Sequence, residues 1–300
     1  MERTLIPFIN KSISSIGLGC VTFGREIDQQ ASFSLMDDAV ENGITFFDTA
    51  SAYGNGASER IIGSWIADRR SVSDSILIAT KTLPPYNAKA IIKSVNQSLE
   101  NLGTDAIDLL YLHRWDAAIE DVEVLSTFNN LVKAGKIKML GSSNFNAEQL
   151  GRVIQLQKDN GFDLLRAIQN NNNFAVRDIN DEIVQMCIDD DIKIVTYSPL
   201  GAGFLTGKYK NGVGDNTRFS LIKGHQDIYF NESSFQRLNQ LQKVSALTGY
   251  STSHLALAWA LNQPHITSVL VGGRSREQLA QAFSALTFYD LDIFNELALI

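Results

Sequence analysis

Short apolar runs alternate with longer stretches of helical period along the whole chain. The runs begin near Ile16, Ile44, Ile76, Ile107, Ile137, Ala167, Ile192 and Ser268. Each is a few residues rich in Ile, Val, Leu or Phe, the pattern of parallel strands buried on both faces. Between them, residues 31–42 place Phe33, Met36, Ala39 and Val40 at helical spacing and stop at Asn42 and Gly43. Residues 87–102 align Ile91, Val95 and Leu99 and stop at Gly103; residues 120–134 stop at Gly135. A glycine just past a helix supplies its left-handed cap. Residues 146–158 predict a helix starting after Asn144, a candidate N-cap. Residues 207–233, rich in Gly, Asn, Asp and Ser, predict one long irregular loop, and residues 286–300 a short terminal helix. Eight strands alternating with seven or more helices predict an α/β fold. No linker divides residues 1–300, which predicts a single domain.

An open doubly wound sheet and a closed (β/α)8 TIM barrel both satisfy that alternation. Polar residues just after strands decide between them. Asp48 and Tyr53 follow one run (residues 44–54, ITFFDTASAYG), Lys81 closes the next (76–81, ILIATK) and His113 the next (107–113, IDLLYLH). Further polar residues follow later strands. In a barrel all these ends converge on one face; in an open sheet they spread along an edge. The barrel is the expectation. A Tyr, a Lys, a carboxylate and a His in one place can protonate an oxygen as charge builds on it. Tyr53 is the weak acid, the Lys81 ammonium is expected to lower its pKa, Asp48 would hold Lys81, and His113 would orient a carbonyl oxygen. Any one of these residues alone has an ordinary reading as a cap, a packing aromatic or a solvated charge.

Composition narrows the classes. The chain is 44% hydrophobic with a formal net charge of −7. An acidic balance without a basic run argues against binding nucleic acid through phosphate neutralisation. Cys20 and Cys187 sit in no CxxC or Cys/His cluster, so neither a metal site nor a disulfide framework is expected. No apolar run approaches the roughly 20 residues that span a bilayer, and the first residues lack a secretory pattern. A cytoplasmic protein without a membrane partner is expected.

The chain resembles the aldo-keto reductase family. The resemblance is carried by residues 17–20 (GLGC), 43–50 (GITFFDTA), 57–63 (ASERIIG), 141–145 (GSSNF), 197–208 (YSPLGAGFLTGK) and 271–278 (VGGRSREQ), in the family's order. It implies the same barrel, with residues 1–15 as a hairpin closing its bottom. It implies Tyr53 as general acid in carbonyl reduction, with Asp48, Lys81 and His113 as its partners, and NADPH as hydride source. Gly19, Cys20 and Val21 would lie beside the nicotinamide. Residues 17–22 nearly read as a dinucleotide fingerprint, but Thr22 stands where the third glycine belongs and a loop follows, so a tight strand-end turn is preferred.

The rest of the cofactor would run across later strand ends. Ser143, Asn144 and Gln169 would hold the carboxamide, for which they supply donors and acceptors; the run Asn170 to Asn173 departs from the family's more mixed sequence. Tyr197 would stack on the nicotinamide. Ser198, Pro199, Leu200, Gly203 and Lys208 would wrap the pyrophosphate, with Arg218 either joining them or solvated. Gly272, Arg274, Ser275 and Gln278 would bind the far end of the cofactor, where Arg274 and Ser275, helped by Arg276, would hold the ribose 2′-phosphate at a helix N-terminus, which favours NADPH over NADH. Val271 replaces a commonly seen proline, and Ala282 an asparagine that contacts adenine in the family. Phe23, Tyr86, Trp115 and Phe145, with Val21, would rim a pocket for a small carbonyl compound or a sugar. A monomer is the family's implication. Two other readings stand beside the reductase: an NADPH-binding regulatory or partner subunit with vestigial activity, and a Schiff-base aldolase using Lys81.

Overall fold

The computed structural model describes residues 1–210, 212–215 and 217–299. The chain opens with an antiparallel hairpin, β1 (Arg3–Ile6) and β2 (Lys11–Ser14). Eight parallel strands then close into a barrel: β3 (Ile16–Gly19), β4 (Phe46–Asp48), β5 (Leu77–Thr82), β6 (Ile107–Leu112), β7 (Ile137–Ser143), β8 (Ala167–Asn171), β9 (Lys193–Tyr197) and β10 (Ile266–Val271). Each pairs with its neighbour in sequence, and β10 closes onto β3. This is the (β/α)8 barrel that the sequence predicts, with the bottom hairpin that the resemblance implies.

Around it lie α1 (Gln29–Glu41), α2 (Ala57–Asp68), α3 (Arg70–Ser73), α4 (Ala88–Leu102), α5 (Val122–Lys133), α6 (Ala147–Asp159) and α7 (Asp181–Asp189). After β9 come α8 (Arg218–Leu221), α9 (Gly224–Tyr229), α10 (Glu232–Thr248) and α11 (Thr252–Leu261); α12 (Arg276–Leu286) and α13 (Leu291–Leu297) follow β10. Local chemistry sets the ends. The Asn87 side chain accepts the Ala90 N–H at the start of α4, and Gly103, at φ 63°, ends it. Three expectations are corrected. The cap of α6 is Asn146, in a reciprocal box with Gln149, because Asn144 is left-handed and turned toward the barrel mouth. The irregular stretch 207–233 contains α8 and α9, whose Phe219 and Tyr229 are buried. The terminal helix covers only Leu291–Leu297.

The core has two layers. Inside the barrel, Phe46, Leu77, Leu109, Tyr111, Met139, Val195 and Leu270 pack together, and Ile6 and Ile13 of the hairpin plug their lower end. Outside, Leu18, Phe47, Leu110, Leu112 and Ile168 face helix residues such as Met36, Trp65, Val95, Phe128 and Leu150. Alternate residues of each strand serve the two layers, which is why the strands read as unbroken apolar runs. Gly141 is required by a close approach: a β-carbon there would sit 2.7 Å from the Tyr111 ring and 2.9 Å from the Ala167 carbonyl oxygen. Among the described residues no helix is long and apolar enough to cross a membrane.

Candidate active site

Parallel strands bring their C-terminal ends to one rim, and there four side chains meet. Asp48 ends β4, Lys81 lies near the end of β5, His113 follows β6, and Tyr53 sits in the turns after β4. The Asp48 and Lys81 side chains are 3% and 1% exposed and form an ion pair. The Lys81 ammonium also donates to the Thr49 carbonyl oxygen (2.8 Å) and lies 3.4 Å from the Tyr53 hydroxyl. The second Asp48 oxygen accepts from the Gln169 amide at 2.8 Å. The Tyr53 ring meets the His113 ring edge-on, with centroids 5.9 Å apart.

Burial dominates the protonation equilibria. It pushes the Asp48 carboxyl up, against the pull of Lys81. Burial works against the Lys81 ammonium, but the charges of Asp48 and Tyr53 outweigh it and the net shift is upward. Tyr53 departs from expectation. Lys81 does favour its phenolate, yet burial, helped by Asp48, raises the phenol above its ordinary value of 10.0. The phenol therefore stays protonated and available as a donor. His113 is pulled from 6.5 to about 3 by burial and then by Lys81 and Arg114, so its ring is neutral at ordinary pH. Among the described residues its buried Nδ1 has no partner.

The other predicted residues fall into groups. Ser143 donates to the Gln169 carbonyl oxygen (2.8 Å). The Asn144 amide donates to the His113 carbonyl oxygen (2.9 Å), and its own oxygen accepts from the Tyr197 hydroxyl (2.6 Å). Asn144, Gln169 and Tyr197 thus bridge the strand ends around the four central residues. Gly19 and Val21 are half-buried, whereas Cys20 is fully enclosed, its thiol pushed well up by burial and then by Asp48; only its backbone N–H, bonded to the Asp48 carbonyl oxygen, serves the site. Ser198, Ala202 and Gly203 are left-handed, so the backbone after β9 coils tightly beside the buried Pro199 and half-buried Leu200. Lys208 is exposed.

At the far end, Gly272 approaches Gly19 closely, Arg274 is exposed, and the Ser275 side chain, at the start of α12, makes no capping bond. Gln278 accepts the Arg274 N–H (2.7 Å), and Arg276 is tied to Ser34 on α1. Ala282 is buried in the core and presents nothing to a ligand. Arg218 pairs with Glu26 at 2.9 Å, joining the segment after β9 to the loop after β3.

The expected aromatic rim is mostly wall. Phe23, Tyr86 and Phe145 are buried; the Tyr86 hydroxyl donates to backbone carbonyl oxygens of Thr82 and Arg114. Trp115 is half-exposed and stands edge-on to Phe145, 5.1 Å between centroids. Sequence reasoning did not assign Glu59, a fully buried carboxylate that accepts from Thr80 and Asn101 and ties β5 and α4 to α2 behind the ion pair. Its only signal was its place in the 57–63 motif. The Asn170 to Asn173 run is equally structural. Asn170 donates to the Phe145 carbonyl oxygen, and Asn171 and Asn173 bond the Tyr229 hydroxyl, clamping α9 to the end of β8.

A family profile described as Aldo/keto reductase family matches residues 15–295. The chain belongs to this family. It is therefore an oxidoreductase of a family that acts on small carbonyl compounds with a nicotinamide cofactor. It is 32% identical to "Aldo-keto reductase YhdN" of Bacillus subtilis (strain 168), covering 97% of this chain and 90% of the relative. It is 29% identical to "Norsolorinic acid reductase B" of Dothistroma septosporum, over 95% and 77% of the two chains. It is 27% identical to "Probable voltage-gated potassium channel subunit beta" of Oryza sativa subsp. japonica, over 91% and 88%.

Proposed function

We propose that this aldo-keto reductase uses NADPH to reduce aldehydes or ketones to alcohols, with Tyr53 as proton donor. The observation that carries the reading is the Tyr53 hydroxyl lying against a buried ammonium that Asp48 holds in place. Tyr53 keeps its proton until negative charge grows on the substrate oxygen and then releases it to that oxygen. Lys81 stabilises the phenolate as it forms, without having to reorient. Neutral His113 directs an N–H at the same oxygen and fixes the carbonyl's orientation. Half-exposed Trp115 offers an apolar face, which suits a carbonyl compound with an apolar or aromatic body.

The residues present fit a phosphorylated dinucleotide. The Ser275 hydroxyl, which makes no capping bond, and exposed Arg274 stand at the N-terminus of an eleven-residue helix, where an anion is favoured. Tyr197, Asn144 and Gln169 border the nicotinamide end. When bound, the cofactor supplies the hydride; the protein's part is to position the carbonyl and deliver the proton. Tyr53→Phe tests this directly. NADPH consumption over a panel of aldehydes, ketones and sugars should fall about 10²–10⁴-fold, with NADPH affinity within about twofold of the parent, because the phenol serves protonation, not binding. Near-normal turnover in Tyr53→Phe would sink the mechanism. The relative named as a channel subunit supports a second reading, a regulatory subunit that binds NADPH, which stable binding without turnover across the panel would favour.

A further inference from the structure

We propose a second small-molecule site on the outer flank of the barrel, for an organic anion with a flat apolar body, centred on Arg177. A cavity of about 380 Å³ opens where the segment after β8, the end of α11 and the start of α13 meet; Arg177, Trp259, Asn262, Gln263, Tyr289 and Phe294 line it. That volume falls within the roughly 300–1,000 Å³ of ordinary ligand sites. None of these residues belongs to the catalytic or cofactor groups described above, so the site does not depend on the proposed reaction.

The charge arrangement selects an anion. The Arg177 guanidinium lies 5.2 Å from the Trp259 ring centroid and 5.9 Å from that of Phe174. At these distances the ring faces attract the cation and hold it beside the cavity. Among the described residues no carboxylate lies within ion-pair distance of Arg177 or of neighbouring Arg237, whose guanidinium donates to the Ala175 carbonyl oxygen. Asp290, beside the lining, instead caps α13 by accepting the Ile293 N–H. Two neighbouring arginines without an acid are unusual on a chain of net charge −7. Burial, and then Arg237, hold Arg177 below its ordinary pKa, a strain that a bound anion relieves. A guanidinium fork matches a carboxylate through two parallel hydrogen bonds.

The walls select the body. Trp259, Tyr289 and Phe294 supply aromatic surface, and Tyr289 is 71% exposed, more than packing alone explains. The Asn262 and Gln263 amides donate to the Ala258 and Trp259 carbonyl oxygens, leaving their own oxygens as acceptors for a polar substituent.

The test is calorimetric titration of the full chain with 2-naphthoate and with uncharged 2-naphthalenemethanol. One saturable naphthoate site is expected, at least about tenfold tighter than the alcohol. Arg177→Gln should weaken naphthoate at least about tenfold with little change in melting temperature, since among the described residues the guanidinium forms no ion pair for the change to break. Trp115→Ala, at the barrel mouth, should leave it unaltered. Absence of saturable binding overturns the proposal. So does naphthoate binding that survives Arg177→Gln and is lost in Trp115→Ala, which would place the probe in the mouth.

Discussion

Lysine–aspartate clusters lie at opposite ends of the same barrel, and only the top one aims a lysine donor at a phenol. At the bottom, Asp108 accepts from Lys11 (2.7 Å), from Lys138 (2.8 Å) and from the Ile78 N–H (3.1 Å). Lys11 spends another donor on the Ile76 carbonyl oxygen. The cluster ties β2 to β5, β6 and β7. At the top, Lys81 satisfies Asp48 and one backbone carbonyl and keeps its third direction for the Tyr53 phenol. An ion pair is therefore no signature of chemistry. What separates the two is a weak acid, the Tyr53 hydroxyl, set against the ammonium at the end where strand termini converge.

The contrast can be broken in order of expected effect. Lys81→Met should cost the most. It strands a buried carboxylate, at about 3–5 kcal/mol of stability, and turnover per folded molecule should fall at least about 100-fold, the low end for losing acid–base catalysis. Steady-state rates normalised to the folded fraction from denaturant titration check both. Arg274→Ala should weaken NADPH about 10–100-fold, as expected for a charge-assisted phosphate contact of about 1.5–3 kcal/mol, and NADH hardly at all; equal losses would remove the 2′-phosphate assignment.

Lys11→Met, the matching change at the bottom, should lower stability by about 1–3 kcal/mol and leave turnover per folded molecule unchanged. A large kinetic effect would erase the distinction between the two ends. Asn146→Ala, which removes one cap of α6, should cost about 1 kcal/mol and be silent kinetically.

A pH profile sharpens the comparison further. His113 is depressed to about 3, so it should contribute no acid limb to reduction between pH 5 and 8. The sign for stability follows. Below pH 6.5 the unfolded chain takes up a proton that the buried ring refuses, so stability falls as pH drops toward 3. Tyr53 is raised above 10, so reduction should persist until pH climbs past that value and the donor is lost. A limb near neutrality that moves in His113→Gln would show that the imidazole is charged in the working site.

Much of this was legible in the chain itself. Runs starting at Ile16, Ile107, Ile137 and Ala167 became strands at those residues, because a strand buried on both faces needs an unbroken apolar run. The helix after Asn87 ended at Gly103, where a left-handed cap needs no β-carbon. Less legible was what each polar residue touches. Asn144 and Asn146 both stand before α6, and their backbone conformations alone decide that one caps the helix and the other faces the mouth. The aromatics near the mouth were read as a rim, yet Phe23, Tyr86 and Phe145 turned inward; sequence position does not report which way a loop side chain faces.

The sequence by itself determined the alternation, the closed barrel and the placing of Asp48, Lys81 and His113 at adjacent strand ends, since parallel register carries strand termini to one face. Only the tertiary structure decided that Gln169 grips Asp48 across the barrel and that burial outweighs Lys81 in setting the Tyr53 phenol. It alone decided that, among the described residues, Arg177 has no acid within ion-pair distance beside an aromatic cavity. Those outcomes depend on distances and desolvation between residues far apart in the chain, which no local pattern encodes.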